Sequence, residues 1–188
     1  GDGHATSFLE KMRQLLRLGK VEMTEAKLYR QQQRERLEAF KQESREIRSD
    51  ATKIAMLQEL SKPFPSRSFV SGECGVLEML RLLTENHCVE MQELLREQPS
   101  HTGPPVDLVS EIFDLFAALE AELDDVENVQ LATYCVATLT ELVQGNNGGG
   151  NSRLLTASKL INVCGRLLLL HKVAGAAQES FNVLRDAI

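Results

Sequence analysis

The sequence predicts an all-α protein, a stack of about seven helices around one core. Apolar residues recur at steps of three and four along most of the chain. No stretch alternates apolar and polar in the manner of a half-buried strand. The breaks between periodic segments fall at proline, glycine or small polar residues. At 188 residues the chain is one domain or one compact piece of a larger solenoid, long enough to bury a core. A composition of 43% hydrophobic and 26% charged residues is that of an ordinary soluble protein. A net charge of −6 argues against a nucleic-acid binder, which would carry a basic surface.

Taken in order, Ser7 and Glu10 form a capping box. It opens a short helix with Phe8, Leu9, Met12, Leu15 and Leu16 inward and Gly19 at its end. From Thr24 a seven-residue repeat runs through Ala26, Gln33, Phe40, Ile47 and Ile54. This is one helix to Leu60, or two broken near Ser49 and Asp50. Arg30 to Arg48 carries both charge signs, which makes it a solvated helix face or a strut that docks on a neighbouring domain. Its thin apolar stripe predicts that the body folds without anything before Pro63. Residues 1–62 thus read as a charged helical segment, 63–74 as a linker stopped by Pro63 and Pro65, and 75–188 as the helical body.

Within the body, one helix is expected from about Gly75 to Glu97. Pro104 and Pro105 start the next, with Leu108, Ile112, Leu115, Phe116, Leu119 and Leu123 as its stripe. Asp124 and Asp125 lead into a helix with no charge between Glu127 and Glu141, a pattern that predicts burial on all sides. Gly145 to Asn151 is low in complexity and reads as a flexible loop, native or engineered. No strand precedes it, so it is not a phosphate cradle. From Ser152 an apolar helix runs to about Val173 with Leu155, Ile161, Leu167, Leu168 and Leu170, and Ala176 to Ile188 supplies one more. Cys74, Cys88, Cys135 and Cys164 lie far apart with no CxxC pair, as buried free thiols in a reducing compartment do. Leu160 to Val173 is interrupted by Arg166 and Lys172, which predicts no membrane span, and no signal peptide is expected.

Two stretches carry the chemistry. On a helix through Leu82 to Gln98, Leu80, Leu83, His87, Met91 and Leu94 share one face, and Glu78, Arg81, Glu85 and Gln92 share another. Taken alone, Glu85 is a solvated acid and His87 packs at the core edge. In the second stretch, Leu139 to Gly145, Glu141 is a lone carboxylate near the end of an apolar helix, where unpaired carbonyls disfavour it unless a positive group joins them. Gln144 lies three residues on. Carboxylate, amide oxygen and helix-end carbonyls form a hard-oxygen environment suited to calcium. An acid fringing into solvent is the other reading.

These stretches resemble the RIH-associated domain of inositol trisphosphate and ryanodine receptors. The resemblance rests on Leu82, Leu83, Glu85, Asn86, His87, Gln92, Leu95, Arg96 and Gln98, then Leu139, Thr140, Glu141, Gln144 and Gly145, with Ser152, Arg153 and Leu154 like the start of the family's next helix. It covers roughly Val76 to His171. Leu142 stands where the family usually has an aromatic residue, and Asn146 where it usually has proline. The resemblance implies an armadillo-like stack, an α-solenoid fragment. It also implies that Glu85 and Glu141 are carboxylate ligands of the channel's activating calcium site, with Gln144 in support and His87 contributing nearby through its main chain. A separate C-terminal domain would complete the site. The implied partners are other domains and subunits of a homotetrameric channel, and the implied location is the cytosolic face of the endoplasmic reticulum or another calcium store. Calcium in the isolated chain would bind weakly, on the order of 10⁻⁴ to 10⁻³ M.

The alternative is an armadillo-like scaffold that binds a partner helix or small GTPase without metal. An enzyme is not expected: no nucleophile elbow, HExxH or hydrolase carboxylate pair is present, and His4, His101 and His171 are isolated.

Overall fold

The computed structural model describes residues 2–43, 51, 54–55, 57–58, 70–99, 105–123, 125–146, 148–170 and 177–188. Among the described residues there are eight α-helices and no strand, as the periodicity predicts. The helices are α1 (Asp2–Glu43), α2 (Val70–Thr84), α3 (Val89–Leu94), α4 (Leu108–Leu119), α5 (Val126–Glu141), α6 (Gly150–Ala157), α7 (Leu160–Leu169) and α8 (Gln178–Ala187). Short 3₁₀ turns lie at Glu85–His87 and Glu120–Glu122. None of these helices is long and apolar enough to cross a membrane.

The chain forms two compact units, one of Gly1–Lys20 with Phe69–Ile188 and one of Val21–Ser68. In the second unit, Ala26 and Phe40 of the seven-residue repeat are buried, Ile54 is exposed, and the charged positions of α1 are mostly solvated. Ile47 and a break at Ser49 and Asp50 lie outside the described residues.

The centre of the first unit is α5, against which α2, α4 and α8 pack. The sequence explains why. Without a charge between its ends, α5 buries Val129, Leu131, Ala132, Cys135, Val136 and Leu139, together with Asn128 and Thr138, but not all sides as expected, since Gln130 and Thr140 are exposed. Each fully buried Leu, Ile or Phe contributes about 1.5–3 kcal/mol. The α4 stripe behaves as predicted, with Leu108, Ile112, Leu115, Phe116 and Leu119 all buried, and Leu123 just beyond it. The helix starts at Leu108 rather than at the prolines because Asp107 is the cap, its side chain accepting from the Ser110 N–H at 2.9 Å. Asp125 caps α5 likewise, accepting from Glu127 N–H at 3.0 Å. All four cysteines are free, and Cys74 and Cys135 are buried. Burial, then the neighbouring Glu73, pushes the Cys74 thiol up to about 11, so it stays protonated and unreactive.

Three expectations are corrected. Gly19 does not end a helix, since α1 runs through it without interruption. Its missing Cβ serves close packing, because a Cβ there would collide with the buried Glu73 carboxylate of α2. Leu9 and Leu16 are buried and the Arg17 Nε donates to Glu111 at 2.8 Å, so the first turns of α1 belong to the body and not to a dispensable strut. The helix expected from Gly75 begins at Val70, inside the segment read as linker.

The apolar run from Ser152 is two helices rather than one. Ser158 turns extended, its Oγ donates to the Leu155 carbonyl at 2.6 Å and accepts from Leu160 N–H at 3.1 Å, and α7 starts on a new axis. Leu155, Val163 and Leu167 are buried, whereas Ile161, Leu168 and Leu170 face outward.

Candidate functional site

The first motif is not one continuous helix. At the end of α2 the buried Thr84 hydroxyl donates to the Leu80 and Arg81 carbonyls, each at 3.1 Å. The chain tightens into the Glu85–His87 turn, where Asn86 (φ 60°) and His87 (φ 60°) take left-handed backbone. Asparagine tolerates that region better than most residues. The shared-face pattern read across Leu80 to Leu94 is therefore broken at the turn. Leu83 and His87 are exposed, while Leu80 is buried.

The kink turns α3 toward the end of α5, where the two motifs are joined through backbone groups. Gln92 is fully buried, and its Nε2 donates to the carbonyls of Glu141 and Gln144, each at 2.8 Å. Asn151, also buried, donates from Nδ2 to the carbonyls of Gln92 (2.8 Å) and Leu142 (3.0 Å), and accepts from Arg96 Nε (3.0 Å). Gln98 accepts from Val106 N–H at 2.7 Å and donates to the Leu94 carbonyl at 2.6 Å, closing the loop before α4. The Gln–Arg–Gln spacing of the first motif thus has a physical basis: Gln92 and Gln98 satisfy backbone groups left open at helix ends, and Arg96 holds Asn151, which satisfies two more.

The carbonyls of Glu141, Leu142 and Gln144 each accept from the Gln92 or Asn151 amide, and the Gln144 side chain is exposed. Gly145 follows with φ +73°, the left-handed stop expected of it. A Cβ at this position would stand 2.5 Å from the Cβ of His87. Gly145→Ala should therefore destabilise by roughly 2 kcal/mol, from left-handed strain and the displaced His87 together. Urea unfolding would check this, and a loss within 0.5 kcal/mol of zero, about the range of neutral surface changes, would show that the turn relaxes freely.

Glu85 is exposed and Glu141 is half-buried. Arg81, on α2, is bonded to neither of them. Its Nε and Nη2 donate to Glu78 at 2.9 and 2.7 Å, and the Glu78 bond is the largest cause holding the guanidinium above its ordinary value. The charges of Glu85 and Glu141 act on it in the same direction. The two carboxylates of the separate motifs thus lie in the field of one cation. His87 contributes its backbone turn and its Cβ contact to Gly145. Among the described residues no group of three or more His, Cys, Asp or Glu is arranged to hold a metal.

A cavity of about 280 Å³ opens among α5, α6, α7 and α8, lined by Val136, Leu139, Leu155, Ile161, Cys164 and Ile188 among others. Among the described residues its wall contains no Asp or Glu side chain, and so neither motif glutamate. Sequence reading placed Arg81 on the face of Glu78 and Glu85 but gave it no role, and it passed over Gln92 and Asn151 as partners. The signal for Arg81 was its spacing, three after Glu78 and four before Glu85. No local signal marks Asn151, whose partners are 55 and 59 residues away.

Comparison with curated proteins and with solved structures yields no match. A protein-family model does match, that of the RyR and IP3R Homology associated family, over residues 69–168. That span holds both motifs, the Gln92–Asn151 network and Arg81, and it covers more than half of the sequence. The chain belongs to the RyR and IP3R Homology associated family.

Proposed function

We propose that this chain is a regulatory segment of an intracellular calcium-release channel, in which Glu85 and Glu141 supply carboxylates to the activating calcium-sensing site. The observation that supports the reading is the family match over a span that holds both glutamate motifs, joined at their backbones by Gln92. The donor set fits a hard cation in type, being carboxylate oxygen, but two side chains fall short of the six to eight oxygens calcium takes. The site is then a half-site, completed by another domain, and calcium would supply the charge that joins the two parts. Arrangements in which both parts contribute oxygens would be favoured by that difference in affinity.

This chain's own residues would transmit the change. Gln92 ties α3 to the carbonyl of Glu141 itself, so movement of the second motif is felt by the first. The parent assembly on this reading is a homotetrameric channel, with this segment on the cytosolic face of a calcium store and its C-terminal domain as the completing partner.

The test is melting temperature against calcium, with magnesium as control because its strict octahedral demand suits this donor set poorly. The wild-type chain should rise modestly at millimolar calcium, following RT ln(1 + [L]/Kd). Glu141→Gln and Glu85→Gln should each abolish the shift while leaving the calcium-free protein folded. A wild type indifferent to calcium would show that this chain is not a site on its own, and variants that both keep the full shift would refute the ligand assignment.

A further inference from the structure

The cavity of about 280 Å³ among α5, α6, α7 and α8 borders the break at Ser158 and is not lined by either motif glutamate. On its new axis, α7 turns Val163 and Leu167 into the core, while Ile161 and Cys164, on another side of the same helix, line the space. The buried Val136 and Leu139 of α5 and Leu155 of α6 line it as well. Thr140 and Thr156, both exposed, bring hydroxyls to its wall. Each of these hydroxyls already donates within its own helix, Thr140 to the Val136 carbonyl at 2.9 Å and Thr156 to the Ser152 carbonyl at 2.7 Å. What they offer a ligand is therefore lone pairs, which accept. Among the described residues no charged side chain lines the space, so no counter-charge stands ready for an ionic group.

We propose that this cavity is a binding site for a neutral, largely apolar small molecule, one substituted ring in size, that carries a single hydrogen-bond donor. An apolar cavity of about 150 Å³ accommodates a benzene ring, so the larger space here holds a ring with a substituent. The apolar body of the ligand displaces water from Val136, Leu139 and Leu155, and its donor meets a threonine oxygen at the exposed rim. A carboxylate or an ammonium group would give up its water there without a partner of opposite charge. For a molecule of roughly eight heavy atoms the dissociation constant is expected on the order of 10⁻⁴ M. Such a ligand touches α5 and α6 at Thr140 and Ser152, the neighbours in sequence of Glu141 and Asn151, so its binding stabilises the junction of the two motifs. The site stands independently of whether Glu85 and Glu141 hold calcium.

Calorimetric titration of the full 188-residue chain with para-cresol, toluene and para-toluate tests this. Para-cresol should bind, toluene should bind roughly fivefold more weakly for want of the donor, and the para-toluate anion should not bind at millimolar concentration. Replacing Thr140 and Thr156 together by valine keeps nearly the same shape and removes both acceptors. The double variant should bring para-cresol down to the affinity of toluene and leave toluene unchanged. Cys164→Phe fills the space and should abolish binding of both neutral probes. Ile161→Trp, at an exposed position on the wall, obstructs the mouth and repeats the test should Cys164→Phe fold poorly. Para-cresol should also slow alkylation of Cys164 by iodoacetamide in a chain carrying Cys88→Ser, since Cys74 and Cys135 are buried. No binding of para-cresol at millimolar concentration, equal binding of para-toluate, or binding that survives both Cys164→Phe and Ile161→Trp would overturn the site. Para-cresol binding no tighter than toluene would overturn the role of the donor.

Discussion

Asn151→Ala should lose about 3–4 kcal/mol of stability, a large part of the 5–15 kcal/mol typical of a folded domain. The side chain is 1% exposed and makes three hydrogen bonds, to the carbonyls of Gln92 and Leu142 and from Arg96 Nε. Alanine would leave two carbonyls and an arginine N–H without partners. An unmade bond in a buried place costs about 1–3 kcal/mol, more than the bond itself contributes when made. Arg96 is partly open to water and would recover some of its share, which is why the three losses do not sum in full. Asn151→Asp should be at least as damaging. It keeps an acceptor for Arg96 but loses both donors and sets a negative charge against two carbonyl oxygens. Urea unfolding followed by circular dichroism measures both variants. A midpoint for Asn151→Ala equal to wild type would mean that water replaces the amide and that the junction of the motifs is not held by this residue.

Removing residues 1–20 should leave a chain that no longer unfolds cooperatively. Leu9 and Leu16 are 4% and 1% exposed, and Arg17 reaches across to Glu111 of α4. Leu16→Ala alone should cost about 2–5 kcal/mol, the transfer of the side chain plus the cavity left behind. Deleting the whole segment would add the loss of Leu9 and expose the apolar surface that both cover, a larger effect than any single substitution. The exposed Arg17–Glu111 pair contributes little by comparison, at most about 1 kcal/mol. Size-exclusion chromatography and dye binding to exposed apolar surface would register the change. A truncated chain with a sharp transition at the wild-type midpoint would restore the boundary at Pro63 that the sequence suggests.

What the sequence alone determines here is what local pattern can encode. The α4 stripe, the apolar character of α5 and the left-handed stop at Gly145 were legible, because each depends on residues within one or two turns of one another. The two motifs were legible too, and they place the chain in its family. Four things were decided only in three dimensions. The break at Glu85–His87, with left-handed backbone at Asn86 and His87, falls where no proline or glycine marks it. Gly19 reads as a helix end but is a point of contact with Glu73, since periodicity cannot show which distant side chain will need the room. Asn151, within an apparently featureless run of Gly and Asn, became a buried junction because its partners lie 55 and 59 residues back in the chain. The fit of α2 against α5 is fixed at Leu77–Thr138 and at His87–Gly145, contacts between residues 61 and 58 positions apart. Hydrophobic spacing tells each helix which face to bury. Backbone groups left open at helix ends and the pairing of distant charges are settled only when the helices meet.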